Sequence, residues 1–431
     1  MKSQPAEPFT SSACRHRKRT KATDAARAGL NSRQRGIAIH EMPHRNKIRV
    51  LYSFPHKLGA SRICYTAWEQ VRGVAKAGAE VIAFPGVLHR AVPGVNRVGP
   101  TLARGKLRIP YKLLGRVRAC ELHDYIVARR LEKMAGQVDI VHAWPVGSLR
   151  TLRVARKMGI PAVLERPNAH TRFAYSAVQA ECDRIGVVLP PDHEHAYNEE
   201  ILTREELEYN EAHRILCPSE FVVKTFRDQG FPESKLVRHI YGFDHTRFFP
   251  SSEPRPSGRS LTMIFVGVCA VRKGLHFALE AWLNSTAHKK GKFLIAGEFV
   301  PAYREKLAAM LEHPSIQILG QRNDIPDLMR ESDLMVLPSI EEGFGLVCTE
   351  ALGAGCVPLV SDACTDTCRH MSNALVHPVA NVSVLTEQIS TLDRDRGLLA
   401  RLRSEAISSS RSLTWDAAGE TLLAAYNKSL Q

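Results

Sequence analysis

The sequence predicts an α/β chain of two domains, each a parallel sheet flanked by helices, and three stretches carry that expectation. Leu334 to Leu337 is an apolar run stopped by Pro338-Ser339. Gly343-Phe344-Gly345 then permits a sharp turn, Leu346 to Ala354 has helix composition and ends at Gly355, and Val357 to Val360 is a second apolar run. That is a strand, turn, helix, strand unit. The same alternation opens at Ile48 and again at Thr262. Between them Pro250 to Gly258, with three prolines and three serines, reads as a linker.

Residues 1–46 hold ten Lys or Arg against three acids with almost no apolar periodicity, so they read as a disordered basic extension. Three explanations fit it: a nucleic-acid arm, an arm for an anionic membrane, or sequence upstream of a start at Met42. No function is built on it. The 431 residues, 44% hydrophobic and 24% charged with a net charge of +15, allow two full cores. No run of about 18 apolar residues and no signal-peptide core is found, which argues against a spanning helix.

The first domain, 47–250, begins with a strand from Ile48 to Phe54, a loop from Pro55 to Ser61 holding Gly59, a helix from Ile63 to Ala77 closed by Gly78, and a strand from Glu80 to Phe84. This is a Rossmann-like opening, although one glycine is not a GxGxxG fingerprint. Arg104 to Lys133 carries nine Lys or Arg among Leu107, Ile109, Tyr111, Leu113, Leu114, Val117 and Leu122. Such a stretch is either an interfacial helix on an anionic membrane or a solvated helix packed on its own domain. Val138 to Ala143 and Ala162 to Glu165 read as buried strands. Residues just past strand ends face the ligand crevice, which makes Trp144, Asn168 and His170 candidates. His193-Glu194-His195 has no further ligands at metal-site spacing and reads as a polar loop. Arg204 to Arg214 reads as a charged helix, and a later one runs through Asp228 to Gly230.

In the second domain, 251–410, a strand from Thr262 to Val266 leads into a loop from Gly267 to Gly274 that carries Arg272 and Lys273. A fork and a point charge together suit a diphosphate. Phe293 to Ala296 with Gly297, and Ile316 to Leu319 with Gly320, are two more strand-to-loop junctions at the crevice. In the 334–360 unit, the first N–H groups of the helix lack intrahelical partners and favour an anion at the turn. Glu342 precedes that turn, and Glu350 lies about 7 Å along the axis from Gly345. Carboxylates accept from sugar hydroxyls, so the pair suits a diphosphate with a sugar at each end, as in a nucleotide sugar. The ten cysteines include no CxxC pair, only Cys364 and Cys368 as CxxxC, and read as free buried thiols in a reducing cytoplasm.

Glu342, seven residues, Glu350, with Gly343-Phe344-Gly345 after the first and Ala351-Leu352-Gly353-Ala354-Gly355 after the second, closely resembles the donor-site motif of retaining glycosyltransferases of family 4, the glycosyl transferases group 1 with the GT-B fold. The resemblance implies two Rossmann-like domains facing across a cleft, the first for the acceptor and the second for the nucleotide sugar, with 411–431 a terminal helix crossing back to the first. It implies catalytic roles for Glu342, His170, Lys273 and Arg272, and donor contacts from Gly59, Gly267, Gly297, Gly320, Gly343, Phe344, Gly345, Leu346 and Glu350. Two departures stand out: Val268 where the family has Arg, and Ser361 to Asp366 where it has a glycine pair and a Glu.

The implied activity is transfer of a sugar from a nucleotide-diphosphate donor to a glycan or lipid-linked acceptor in cell-surface polysaccharide or glycoconjugate biosynthesis. It needs no cofactor beyond the co-substrate and no divalent metal. The implied place is the cytoplasm or the inner face of an anionic membrane, and nucleic acid is not an expected partner. Two alternatives remain open: a nucleotide-sugar epimerase or hydrolase on the same fold, or a non-catalytic basic GT-B-like protein that binds nucleic acid or membrane.

Overall fold

The computed structural model describes residues 47–105, 107–109, 114–253 and 258–431. The basic extension, Tyr111, Leu113 and the centre of the 250–258 linker lie outside them. In the first half the chain alternates strand and helix: β1 (Arg49–Leu58), α1 (Ile63–Lys76), β2 (Glu80–Leu88), β3 (Arg97–Val98), a short hairpin of β4 (Ala103–Arg104) and β5 (Leu107–Arg108), α2 (Arg116–Leu131), β6 (Ile140–Ala143), α3 (Leu149–Lys157), β7 (Ala162–Glu165), α4 (Thr171–Ile185), α5 (Glu199–Glu211), β8 (Arg214–Cys217), α6 (Glu220–Arg227) and β9 (Leu236–Arg238). These strands make one parallel sheet in the order β3-β2-β1-β6-β7-β8-β9. Strands such as β6 and β7 are buried along their whole length, as helices on both faces require.

The second half repeats the scheme with β10 (Thr262–Val266), α7 (Leu275–Asn284), β11 (Lys292–Ala296), α8 (Pro301–Leu311), β12 (Ile316–Gly320), α9 (Ile325–Glu331), β13 (Leu334–Leu337), α10 (Leu346–Ala354), β14 (Val357–Ser361), β15 (Leu375–His377), α11 (Val382–Arg394), α12 (Arg396–Ser410) and α13 (Trp415–Ser429). Its sheet is β12-β11-β10-β13-β14-β15, again parallel. Strand order reverses between β1 and β6 in one sheet and between β10 and β13 in the other. The loops after β1, β10 and β13 therefore open at switch points, where α/β sheets hold ligands.

Three expectations need correction. The loop expected from Pro55 is strand as far as Leu58: Phe54 pairs with Pro85 and Lys57 with Val87, so Pro55 and His56 stand opposite Gly86 alone. Pro55 has no N–H to give the ladder, and a bulge absorbs it. The helix expected at 204–214 runs from Glu199 to Glu211, because Asn198 accepts from the Ile201 N–H at 3.0 Å and starts it five residues earlier. The helix expected to reach Asp228–Gly230 ends at Arg227, and Gly230 follows at φ +86°. In the basic stretch, Ala119, Cys120, Val127 and Leu131 of α2 are buried in their own domain, as the packed-helix reading has it. Among the described residues no helix is long and apolar enough to cross a membrane.

The last helix, α13, returns to the first half of the chain. Its Leu422, Ala425 and Tyr426 join Val50, Tyr52, Val71 and Ile140 in one apolar cluster. Tyr426 Oη meets His142 Nδ1 at 2.8 Å, and Asp416 pairs with Arg72 and Lys76 at 3.1 and 2.6 Å. Backbones touch where α13 crosses α1: a Cβ on Gly419 would lie 2.4 Å from the Gly73 carbonyl carbon. Gly419→Val should therefore wedge the helices apart and cost about 1–3 kcal/mol, the usual range for overpacking. Urea unfolding checks this, and an unchanged midpoint would contradict the contact.

Candidate functional site

Strand β13 is wholly buried and delivers the chain into Pro338-Ser339-Ile340-Glu341-Glu342. The turn behind it has no room for side chains. A Cβ on Gly343 would lie 1.5 Å from the Pro167 carbonyl oxygen of the first sheet, and Gly345, at φ +67°, caps α10. Phe344 is buried against Tyr241 at 5.4 Å between ring centroids, in a cluster with Trp415 and Ala418 of α13 and with Tyr65 of α1. Residues from both ends of the chain thus fix the turn.

The loop after β10 closes on the same place. Gly274 approaches so near that a Cβ would lie 2.0 Å from the Pro338 carbonyl oxygen, and the Ile340 N–H donates to the Arg272 carbonyl at 2.8 Å. This brings the basic pair to the acidic pair. Lys273 Nζ forms an ion pair with Glu342. Arg272 Nη1 lies 3.2 Å from Glu341 Oε1, 3.0 Å from the Glu341 carbonyl and 3.4 Å from Glu342 Oε1. The Arg272 side chain is only 11% exposed, and Glu341 is fully buried. Burial alone would raise the Glu342 pKa, but Lys273 and Arg272 outweigh it and hold the carboxyl at about 2.

Glu350 has the opposite environment. Burial pushes its carboxyl up to about 7, Arg247 offsets part of that, and Asp244 adds to it. One motif thus carries one carboxylate locked in its charged form and one poised to change.

Other sequence-predicted residues fall in place to different degrees. Gly267 and Gly297 meet back to back, since a Cβ on Gly297 would lie 1.7 Å from the Gly267 carbonyl oxygen. Gly59, at φ +85°, ends β1 beneath Arg90, which stacks on Trp68 at 5.2 Å. Gly320, at φ +64°, has open space where its Cβ would be. Val268 is half-buried, and the nearby guanidinium is that of Arg272. Asp366 accepts from Arg238 at 2.8 Å and from the Glu220 N–H at 3.0 Å, bridging to the first sheet.

His170 behaves differently from the expectation. Its imidazole packs against Tyr209, Phe226 and Phe231 at 5.0, 4.9 and 5.8 Å, and Nδ1 accepts from the Arg172 N–H at the start of α4. Burial first, then Arg166 and Arg172, lowers its pKa to about 3. It lines an open pocket of about 470 Å³ with Glu206, Asn210 and Lys235. What its segment gives the acidic motif is backbone: the Pro167 carbonyl beside Gly343, and the Ala169 N–H, which donates to Glu341 Oε2 at 3.3 Å. Trp144 is likewise structural, donating to Tyr52 Oη at 2.8 Å.

Sequence reasoning missed Glu341, Tyr241 and His195. Glu341 had a signal, being the first of two consecutive acids before the turn. His195 lies in the polar loop and puts Nδ1 3.9 Å from Glu341. Among the described residues no group of three or more His, Cys, Asp or Glu is placed to hold a metal ion.

Residues 260–395, the stretch that carries both loops, match the family described as Glycosyl transferases group 1. Part of the chain is 26% identical, over 46% of its length, to N,N'-diacetylbacillosaminyl-diphospho-undecaprenol alpha-1,3-N-acetylgalactosaminyltransferase of Campylobacter jejuni, and the match spans 56% of that enzyme. Among solved structures, sucrose-phosphate synthase from Thermosynechococcus elongatus superposes with a TM-score of 0.65 at 17% identity, over 88% of this chain and 98% of that one. Anabaena HepE in complex with UDP superposes at 0.60 with 16% identity, over 88% and 99%. The fold is therefore GT-B, and the stretch that matches the group 1 description carries the acidic motif and the basic loop.

The two glutamates predict a pH signature. A glutamate unfolds to a value near 4.5, so a folded carboxyl at about 7 retains a proton that the unfolded chain releases. The stability it contributes is complete below about pH 4.5 and is lost as the pH rises through 7. Glu350→Gln should accordingly raise Tm relative to wild type at pH 8, with the difference shrinking toward pH 5. Parallel thermal melts across that range check it.

Proposed function

We propose that this chain is a retaining glycosyltransferase that moves a sugar from a nucleotide-diphosphate donor to a glycan or lipid-linked acceptor in the assembly of a cell-surface glycan. The observation that carries the reading is the convergence of Arg272 and Lys273 on Glu342 at the N-terminus of α10. Two cations and the free N–H groups of Phe344 to Leu346 form a preorganised receptor for a leaving diphosphate. Without donor, the cations rest on the glutamates. With donor, they turn to phosphate oxygens and free Glu342 to accept from hydroxyls of the transferred sugar. Glu350, in its charged form, accepts from the ribose.

In this mechanism the bond between the anomeric carbon and the diphosphate oxygen breaks as the acceptor oxygen bonds to that carbon from the same face. The acceptor proton passes to the departing diphosphate. Charge develops on the leaving group, where Lys273 and Arg272 stand, and domain closure keeps water from taking the acceptor's place. UDP bound to HepE, a neighbour of the same fold, supports a nucleotide donor. The diphospho-undecaprenol in the name of the Campylobacter relative supports a lipid-linked acceptor, met at a membrane surface.

A thermal-shift series with UDP-, GDP- and ADP-sugars tests the donor site. One nucleotide class should raise Tm in the wild type and not in Glu350→Ala. Lys273→Ala should lower kcat on the order of 100-fold, as loss of a charge-stabilising group does, and Glu342→Gln should lower it while the protein stays folded by circular dichroism. Absence of any nucleotide shift, or an undiminished kcat in Glu342→Gln, would overturn the assignment.

A further inference from the structure

The segment joining α4 to α5 belongs to the first half of the chain, yet it reaches the acidic motif of the second. Pro190 and Pro191 stiffen it, and Tyr197 packs on Tyr175 at 5.6 Å near its exit. Between them His195 is only 7% exposed. Its Nδ1 stands 3.9 Å from Glu341 Oε1 and its Nε2 3.5 Å from Glu194 Oε1, both longer than an ordinary hydrogen bond. Its backbone N–H donates to His193 Nδ1 at 3.1 Å, which sets the ring's place. Contacts thus run in series: His195 to Glu341, Glu341 to Arg272 at 3.2 Å, and Arg272 to Glu342 at 3.4 Å.

This series meets a difficulty in the donor-bound state. Glu341 is fully buried, and its cationic partner is Arg272. A diphosphate draws Arg272 N–H donors away from the carboxylates, and a buried carboxylate that loses its partner is costly. The Ala169 N–H at 3.3 Å compensates only part of that. Arg166 also feels the Glu341 charge but is held by Glu205 and the Ala169 carbonyl, so among the described residues the group that directly faces Glu341 beside Arg272 and Ala169 is the His195 imidazole. We propose that His195 is a positioning residue of the donor site, which keeps Glu341 partnered while Arg272 engages the diphosphate, and so makes donor binding depend on a segment of the first domain. This rests on the donor-site reading above.

The test is a double-mutant cycle read by calorimetric titration with UDP, GDP or ADP, whichever the wild type binds. His195→Ala should weaken that nucleotide about tenfold, within the coupling expected of residues in contact, while Tm without nucleotide stays at the wild-type value. His195→Asn, whose amide can donate to Glu341, should recover most of the affinity. In a Glu341→Gln background, where no buried charge needs a partner, His195→Ala should have no further effect. Wild-type affinity in His195→Ala, or losses that simply add in the double variant, would overturn the inference alone. Absence of nucleotide binding by the wild type would overturn the donor-site reading and this inference with it.

Discussion

Two buried glutamates beside two cations impose the constraint on which the rest of this structure depends. Glu341 and Glu342 leave a strand end almost without water, and such charges are tolerated only with partners close at hand. Arg272 and Lys273 supply them, but only if the loop after β10 lies directly on the loop after β13. That requires backbone contact at Gly274 and Pro338, where no side chain fits. Two acids and two bases leave the four residues neutral as a group.

The first domain participates in holding this arrangement. Pro167 and Ala169 meet the acidic motif through backbone atoms. Tyr241 wedges Phe344 from the side while its hydroxyl donates to the buried Glu165 at 2.7 Å, which also accepts from Gln70 at 2.8 Å and pairs with His239 at 2.9 Å. Further out, His276 Nε2 meets Glu181 Oε1 at 2.8 Å, and Arg238 meets Asp366. These are polar, partly exposed contacts, of the kind that allow two lobes to open and close. The apolar contact of α13 with α1 is of another kind, since Gly73 and Gly419 let backbones touch and bury Tyr426 completely.

Glu342 and Glu350 show how one motif assigns different duties to identical side chains. Cations lower one carboxyl and desolvation raises the other. The first therefore stays charged across the neutral range, while the second changes charge near neutrality.

Much of this was legible in the chain itself. Apolar runs bounded by Gly and Pro marked β10, β13 and β14, because a strand covered on both faces has to be apolar throughout. Glycines around Phe344 marked the turn, because only they fit beside another backbone. The spacing from Glu342 to Glu350 was set by helix geometry, which is local. Residues 204–214, by contrast, were misplaced, since a cap six residues before the expected start outweighs the run of charge behind it. His170 and His195 could not be told apart in the same way. Both follow strands or helices that point toward the cleft, and local pattern says nothing of which ring turns into an aromatic core and which lies across a neighbouring acid. Those choices depend on contacts between residues tens of positions apart for His170 and well over a hundred for His195. The sequence by itself thus determined the strands, the turns and the spacing of Glu342 and Glu350. Only the tertiary structure decided which histidine meets the acids and that Arg272 stands between them, because burial and partner distance are properties of the packed chain.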